Sequence, residues 1–202
     1  MLEQVILPRR QGAPMSDVVT SGVLLRNCKY FIFQTGLNGA GDALGVVRLG
    51  GHVEPGETSI ECARREALEE GNVVVDLVAA PATWSYSSVD DAFDLVRAEE
   101  LPDPAPLLTA SMAPDDGLSV TYLATCTSEP TPGMETQALI FLTIHQVFWL
   151  TGEGVTLGEF LGDGGLLTES VPLPRDLRLH PHGQLRALAY LVRSGELDPG
   201  WA

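Results

Sequence analysis

Lysine is nearly absent from this 202-residue chain: Lys29 stands alone beside eleven arginines. A phosphate-cradling Gly-x-x-x-x-Gly-Lys loop needs a lysine after its glycines, so that class of nucleotide hydrolase is excluded by inspection. Basic charge as a whole is scarce, with 12 Lys and Arg against 27 Asp and Glu and a net charge of −15. Affinity for bulk nucleic acid comes from neutralising phosphates with cationic side chains, and none is expected here. The three cysteines, Cys28, Cys62 and Cys126, are odd in number and too far apart for metal-ligand spacing, so they read as reduced core thiols. Long apolar runs are missing too. Stretches such as Ala138–Ile144 stop well short of a bilayer span, which argues against a membrane protein. The opening MLEQVILPRRQGAP lacks a basic start, a long apolar stretch and a small-residue cleavage site. No secretory signal is read there, and the cytoplasm is the expected location.

What is present is ordinary for a folded domain: 45% hydrophobic and 19% charged residues, without a repeat. The length suits one domain, with a short N-terminal extension (1–16) and an acidic, proline-containing insert (89–117). Two β-rich runs, Val18–Leu25 and Tyr30–Gln34, flank the polar Arg26-Asn27 and read as a hairpin. Thr35–Gly45, with four glycines, reads as a flexible loop leading to a strand at Val46–Leu49. Asn72–Ala80 reads as a buried strand, and Val89–Leu101 as a helix ended by the prolines of PDPAP. Leu118–Cys126 and Ala138–Leu150 are β-rich, Leu157–Leu161 suggests a short helix, and Gly183–Ser194 has a helical apolar face with Gly195 as its stop.

Between the glycine loop and the valine-rich run lies GHVEPGETSIECARREALEEGNV, Gly51 to Val73, which holds six glutamates around one arginine pair. Thr58 and Glu61 form a Thr-x-x-Glu capping box, so a helix should begin just after Thr58 and run to about Glu70. The helical repeat puts Glu66, Glu69 and Glu70 within one face, and Ile60, Ala63 and Ala67 on a neighbouring face able to be buried. Like charges at these spacings destabilise an isolated helix by a few tenths of a kcal/mol per pair, roughly, so something should offset them. A hard divalent cation would, because Mg²⁺ takes a few carboxylate oxygens, retained waters and phosphate oxygens. The preceding glycines let backbone approach a ligand closely. Loop and helix together describe a metal–phosphate site.

The segment resembles the Nudix box of the Nudix hydrolase superfamily, Gly-x5-Glu-x7-Arg-Glu-U-x-Glu-Glu-x-Gly-U, where U is a bulky apolar residue. Gly51, Glu57, Arg65, Glu66, Glu69 and Glu70 match, Val73 fills the last apolar place and Ala67 the first. With this chain's own residue frequencies, six fixed matches arise by chance on the order of 10⁻⁷ per window. Asn72 stands where the pattern has glycine; asparagine is the usual second choice for a left-handed helix cap. The resemblance implies an α/β fold, a Nudix-type α/β/α sandwich with a mixed sheet. It further implies Mg²⁺, with Mn²⁺ as a substitute, held by Glu66, Glu69 and Glu70 and the Gly51 carbonyl, with Glu57 and Arg65 orienting loop and helix. Family members often take one more carboxylate from outside the box as ligand or base. Glu135 is the first choice here and Glu129 the second.

The function implied is Mg²⁺-dependent hydrolysis of a pyrophosphate linkage in a nucleoside diphosphate joined to another moiety, such as a nucleotide sugar, ADP-ribose or a nucleoside triphosphate. The competing class is a non-catalytic, nucleotide-sensing module of the same fold. The partner expected is a small-molecule nucleotide, and a homodimer is compatible with the sequence. No substrate subgroup is established: Arg48-Leu49-Gly50-Gly51 departs from the Phe-Pro-Gly-Gly of coenzyme A pyrophosphatases, and Pro81 comes earlier than the proline of ADP-ribose hydrolases. Other residues read more plainly. His180-Pro181-His182 is a turn before the last helix, Trp84 and Tyr86 are core, and Arg48 is a strand-end surface charge. The insert is expected to fold against the domain or a second subunit near the site and to help choose the substrate moiety.

Overall fold

A computed structural model describes residues 18–87, 92–96, 102–111, 117–152 and 154–201. In chain order the elements are β1 (Val18–Asn27), β2 (Tyr30–Leu37), β3 (Ala43–Val47), β4 (Leu49–His52), α1 (Ser59–Gly71), β5 (Asp76–Val78), β6 (Thr83–Ser87), β7 (Ala92–Val96), β8 (Leu108–Ser111), β9 (Leu118–Thr125), β10 (Ala138–Leu142), α2 (Ile144–Leu150), α3 (Leu157–Gly162), β11 (Leu166–Glu169), β12 (Arg178–Pro181) and α4 (Gly183–Arg193). The strands form one mixed sheet whose main path runs β11-β10-β2-β1-β9-β8-β6-β7. Among the described residues, no helix is long and apolar enough to cross a membrane.

Side chains alternate along each strand, and here both faces are covered. Val23 and Leu25 of β1, with Leu139 and Phe141 of β10, meet the Ala63/Ala67 face of α1. Leu24 of β1, with Ala138, Ile140 and Leu142 of β10, points the other way into a core shared with α2, α3 and α4. This is the α/β/α sandwich expected. The capping boxes Thr58/Glu61, Thr143/Gln146 and Thr156/Glu159 start α1, α2 and α3.

The site is positioned by a divergence of two strands. β1 pairs with β2 only at Leu25–Asn27, then with β4 from Thr20 to Val23. β2 likewise leaves β1 and pairs with β3 from Gln34 to Leu37. Arg48, the residue between β3 and β4, therefore spans the place where one strand's partner gives way to the other's.

Several local expectations are corrected. The hairpin turns at Cys28-Lys29, not Arg26-Asn27; Cys28 has φ 52° and is exposed, so it is no core thiol, whereas Cys62 and Cys126 are buried. The glycine-rich Thr35–Gly45 is mostly strand, since Gly36 and Gly45 face each other across β2 and β3. Only the turn at 38–42 remains, tied by Asn38 Nδ2 donating to Asp42 Oδ1 at 2.7 Å. In 72–80, only Asp76–Val78 pairs as a strand; Val73 and Val75 are buried while Val74 is exposed. The β-rich reading of Ala138–Leu150 fails after Leu142, where the Thr143 cap turns the apolar run into α2. Ala92–Val96 is a strand antiparallel to β6 rather than part of a helix; Val89 and Leu101 lie outside the described residues, as does Met112. The described part of the insert extends the sheet beyond β9, at the edge away from β4, and buries Leu107 and Leu108 in the core.

Asn72 adopts φ 51°, ψ 34°, the left-handed cap expected for the residue replacing the pattern's glycine. Its side chain does more than tolerate that conformation. Nδ2 donates to the Pro132 carbonyl at 3.0 Å and to Thr131 Oγ1 at 3.3 Å, tying the β9–β10 loop to the end of α1. Asn72→Gly is therefore not neutral: the lost bonds cost about 0.5–1.5 kcal/mol, partly offset because glycine carries no Cβ penalty at positive φ. Asn72→Ala loses both advantages and should be the less stable variant. Urea denaturation checks that order, and a glycine variant as stable as wild type would show the side-chain bonds to be idle.

Candidate active site

The acidic face of α1 is organised by one guanidinium. Arg65 Nε and Nη2 grip the two oxygens of Glu57 at 2.9 and 3.0 Å, while Nη1 reaches Glu66 Oε1 at 2.8 Å and Glu69 Oε2 at 2.9 Å. Nη2 also donates to the His52 carbonyl at 2.9 Å, so one side chain ties the approach loop to the helix. The planar fork of arginine suits bidentate carboxylate binding, and lysine could not make all these bonds. The same contacts raise the pKa of Arg65 and hold Glu57 below the usual carboxylate range. Glu69 is the exposed member, its side chain 58% accessible against 12% for Glu66.

Glu70 lies apart from this fork. Its Oε2 accepts the Gly50 backbone N–H at 2.6 Å and its Oε1 accepts Gln34 Nε2 at 2.8 Å. Burial nevertheless pushes its carboxyl up to about 7, the two hydrogen bonds and the Arg48 charge opposing that shift and the Glu66 charge adding to it. Behind it sits Arg48, only 5% exposed, which corrects the reading of a surface charge. Burial lowers its pKa, and the nearby charges of Glu70 and Glu66 act against that. Arg48 is inward because Gly22 and Gly50 lack side chains: a Cβ at either would fall within 2.1 or 1.6 Å of its Nη1.

The remaining expected residues are spread unevenly. Gly51 packs against Glu66, and a Cβ there would sit 2.3 Å from Glu66 Oε1, so only glycine lets that carboxylate lie along the backbone. The loop bearing Glu135 docks on the end of α1, with Gly133 N–H donating to the Glu70 carbonyl at 2.9 Å and Thr131 N–H to the Gly71 carbonyl at 3.0 Å. Glu135 itself is exposed. Glu129 instead lines a cavity of about 420 Å³ with Tyr30 and Phe141 near the β1–β2 turn. His180 lies in β12 and His182 caps α4, their rings 5.7 Å apart. Tyr86 is buried and Trp84 packs against the core, as expected. Sequence reasoning missed Gln34 and misplaced Arg48; the Gly50-Gly51 pair hinted at close packing there, whereas nothing in the strand pattern marked Gln34.

Among the described residues, no group of three or more His, Cys, Asp or Glu side chains stands in metal-holding geometry. The reason is visible in the partners: Arg65 holds Glu66 and Glu69, and Gly50 with Gln34 holds Glu70. The donor chemistry still fits a hard cation, since every candidate atom is a carboxylate or carbonyl oxygen. Without a cation, ionising Glu70 should oppose folding. Its carboxyl is about 7 in the folded state against an ordinary 4.5, so the folded protein holds a proton that the unfolded chain releases. That contribution to stability is present at low pH and lost as pH rises through about 7. In EDTA, Glu70→Gln should therefore gain stability relative to wild type between about pH 5 and about pH 8. Denaturation at both values measures the difference, and a gap independent of pH would contradict the raised carboxyl.

The NUDIX domain family model matches residues 18–161 of this chain. Similar solved structures include a NUDIX-family hydrolase from Clostridium perfringens, 23% identical over 63% of this chain and 81% of its own, with a TM-score of 0.45. A possible asymmetric diadenosine tetraphosphate hydrolase from Jonesia denitrificans is 13% identical over 90% of this chain and 97% of its own, with a TM-score of 0.50. An Ap4A hydrolase from C. elegans is 15% identical over 64% and 83%, with a TM-score of 0.42. No curated protein matches the sequence. The family match runs from β1 into α3 and contains the whole of Gly51–Val73, with its arginine fork and acidic helix face. The chain belongs to the Nudix family.

Proposed function

We propose that this protein is a Mg²⁺-dependent hydrolase of a pyrophosphate linkage in a nucleoside diphosphate joined to a second moiety. The observation that carries the reading is the arrangement at α1: Arg65 clamping Glu57, Glu66 and Glu69, beside a separately held, half-buried Glu70. Nudix hydrolases generally use a divalent metal. Glu66, Glu69, Glu70 and the Gly51 carbonyl are the residues that would hold it here, with Mn²⁺ as a substitute for Mg²⁺. When bound, the cation neutralises diphosphate charge and makes water a better nucleophile.

The chain's own groups supply the rest. Arg65 fixes the approach loop through the His52 carbonyl, so the backbone beside Gly51 stays in place as the acidic side chains change partners. Glu69 is the most accessible of the three carboxylates and the freest to leave Arg65. Glu135 is read as the carboxylate that accepts a proton from an attacking water; the docking of its loop on the end of α1 supports that choice over Glu129, which lines the cavity near the β1–β2 turn. A non-catalytic sensing module is disfavoured by the retention of Arg65 and all three glutamates. The reading places the protein in the cytoplasm with a small nucleotide as its partner.

A panel of nucleoside triphosphates, nucleotide sugars, ADP-ribose and dinucleoside polyphosphates, each with Mg²⁺, should reveal turnover of at least one class. On that substrate, Glu69→Gln and Glu70→Gln should each lower turnover by at least roughly 10–100-fold, the loss typical even of residues that only support a metal ligand. Circular dichroism should remain that of wild type. Glu135→Gln should cut kcat by roughly 10²–10⁴-fold if the carboxylate is the base, with Mg²⁺ dependence unchanged. Equal turnover in wild type and both helix variants would sink the assignment; an unaffected Glu135→Gln would remove only that residue from it.

A further inference from the structure

Arg48 is a buried charge that the reaction does not visibly need. It is 5% exposed, its Nε has no partner, and it joins none of the ion pairs among the described residues. Desolvating a guanidinium without a paired carboxylate is strongly unfavourable, and an apolar side chain of similar length would avoid that cost. The surroundings are nevertheless shaped for it, because Gly22 and Gly50 both leave the space that Nη1 fills.

Its contacts show what it can do. Nη1 donates to the Leu49 carbonyl at 3.4 Å and to the Ser21 carbonyl of β1 at 3.2 Å; Nη2 donates to Ser119 Oγ of β9 at 3.3 Å. The Leu49 carbonyl and the Gly50 N–H are the two ends of one peptide unit. That N–H is the donor to Glu70 Oε2 at 2.6 Å. A cation at the carbonyl end and a carboxylate at the amide end polarise the same peptide in the same sense. The second donor to Glu70, Gln34 Nε2, also reaches the Arg48 carbonyl at 3.3 Å. Of the two hydrogen bonds that orient Glu70, the one from Gly50 is made by the peptide that the Arg48 side chain pins, and the one from Gln34 rests beside the Arg48 backbone carbonyl.

We propose that Arg48 is a positioning residue for Glu70, acting through the Leu49–Gly50 peptide to hold that carboxylate in the geometry in which it takes part in cation binding. The inference rests on the reading of Glu70 as a cation ligand. Arg48 cannot touch substrate, and its role is to anchor β4 to β1 and β9 while leaving the Gly50 N–H aimed at Glu70.

The sign of one measurement separates this from a simple field effect. In alkaline buffer, where Glu70 is ionised and protonation does not compete with the cation, a guanidinium near the site repels the cation, so removal of its charge alone would tighten binding. Loss of positioning weakens binding instead. Mn²⁺ affinity of the full chain in that buffer, followed by electron paramagnetic resonance without substrate, should fall roughly 10–100-fold in Arg48→Met, while the melting temperature in EDTA stays level or rises. In a double-mutant cycle, Arg48→Met should add no further loss to Glu70→Gln, because the residue acts through that carboxylate. If Arg48→Met does not fold, Arg48→Lys enters the same cycle; it keeps the charge but not the fork, and the same non-additivity is expected. Tighter or unchanged Mn²⁺ binding, or losses that add in the Glu70→Gln background, would overturn the proposal. A wild type that binds no Mn²⁺ would overturn the metal reading and this inference with it.

Discussion

Like charges crowded on one helix face have to be offset, and in this protein the Arg65 guanidinium does it. Glu66 and Glu69 are one and four residues further along α1, while Glu57 lies eight residues earlier, in the loop before the helix cap. Because one fork binds all three, the loop, the helix start and the acidic face are held as one unit, and the His52 carbonyl fixes that unit to the end of β4. Without the arginine, the carboxylates would repel, and the approach loop would lose its main tie to the helix. The capping box at Thr58 and Glu61 sets where the helix begins, but it is Arg65 that sets where the loop lies.

A second charge governs the other half of the site. Glu70 is drawn towards the sheet by the Gly50 amide and Gln34, in a place dry enough to raise its carboxyl to about 7. Glu66 and Glu69, by contrast, are satisfied by a permanent cation. The three helix carboxylates are thus not equivalent: two are held by Arg65, and one by a pair of hydrogen bonds. Sheet geometry makes the difference, because the divergence of β1 and β2 brings β4 alongside the last turn of α1.

The β9–β10 loop adds the third support. Its backbone docks on the Glu70 and Gly71 carbonyls, and the Asn72 amide holds it there. In the family pattern this position is a glycine, which could cap the helix but could not reach the loop. The substitution therefore trades backbone ease for a cross-link between the helix end and the segment that carries Glu135.

The sequence by itself determined whatever depends on near neighbours along the chain. The start of α1 follows from Thr58 and Glu61, its acidic and apolar faces from the 3.6-residue repeat, and the left-handed cap from Asn72, because each is set by local backbone geometry. The spacing of Gly51, Glu57, Arg65 and the three glutamates was legible for the same reason. Tertiary structure decided what depends on partners far away in sequence. The 138–150 run divides into strand and helix at Thr143, a switch that apolar composition hides. Ala92–Val96 became a strand because β6 offered an edge to pair with, overriding a helical spacing. Arg48 is the sharpest case: its burial depends on Gly22, twenty-six residues earlier, and on Ser119 in β9, brought beside it only when β1 pairs with both β4 and β9. No local pattern encodes that conjunction, and so the charge that reads as a surface arginine in the sequence stands behind Glu70 in the fold.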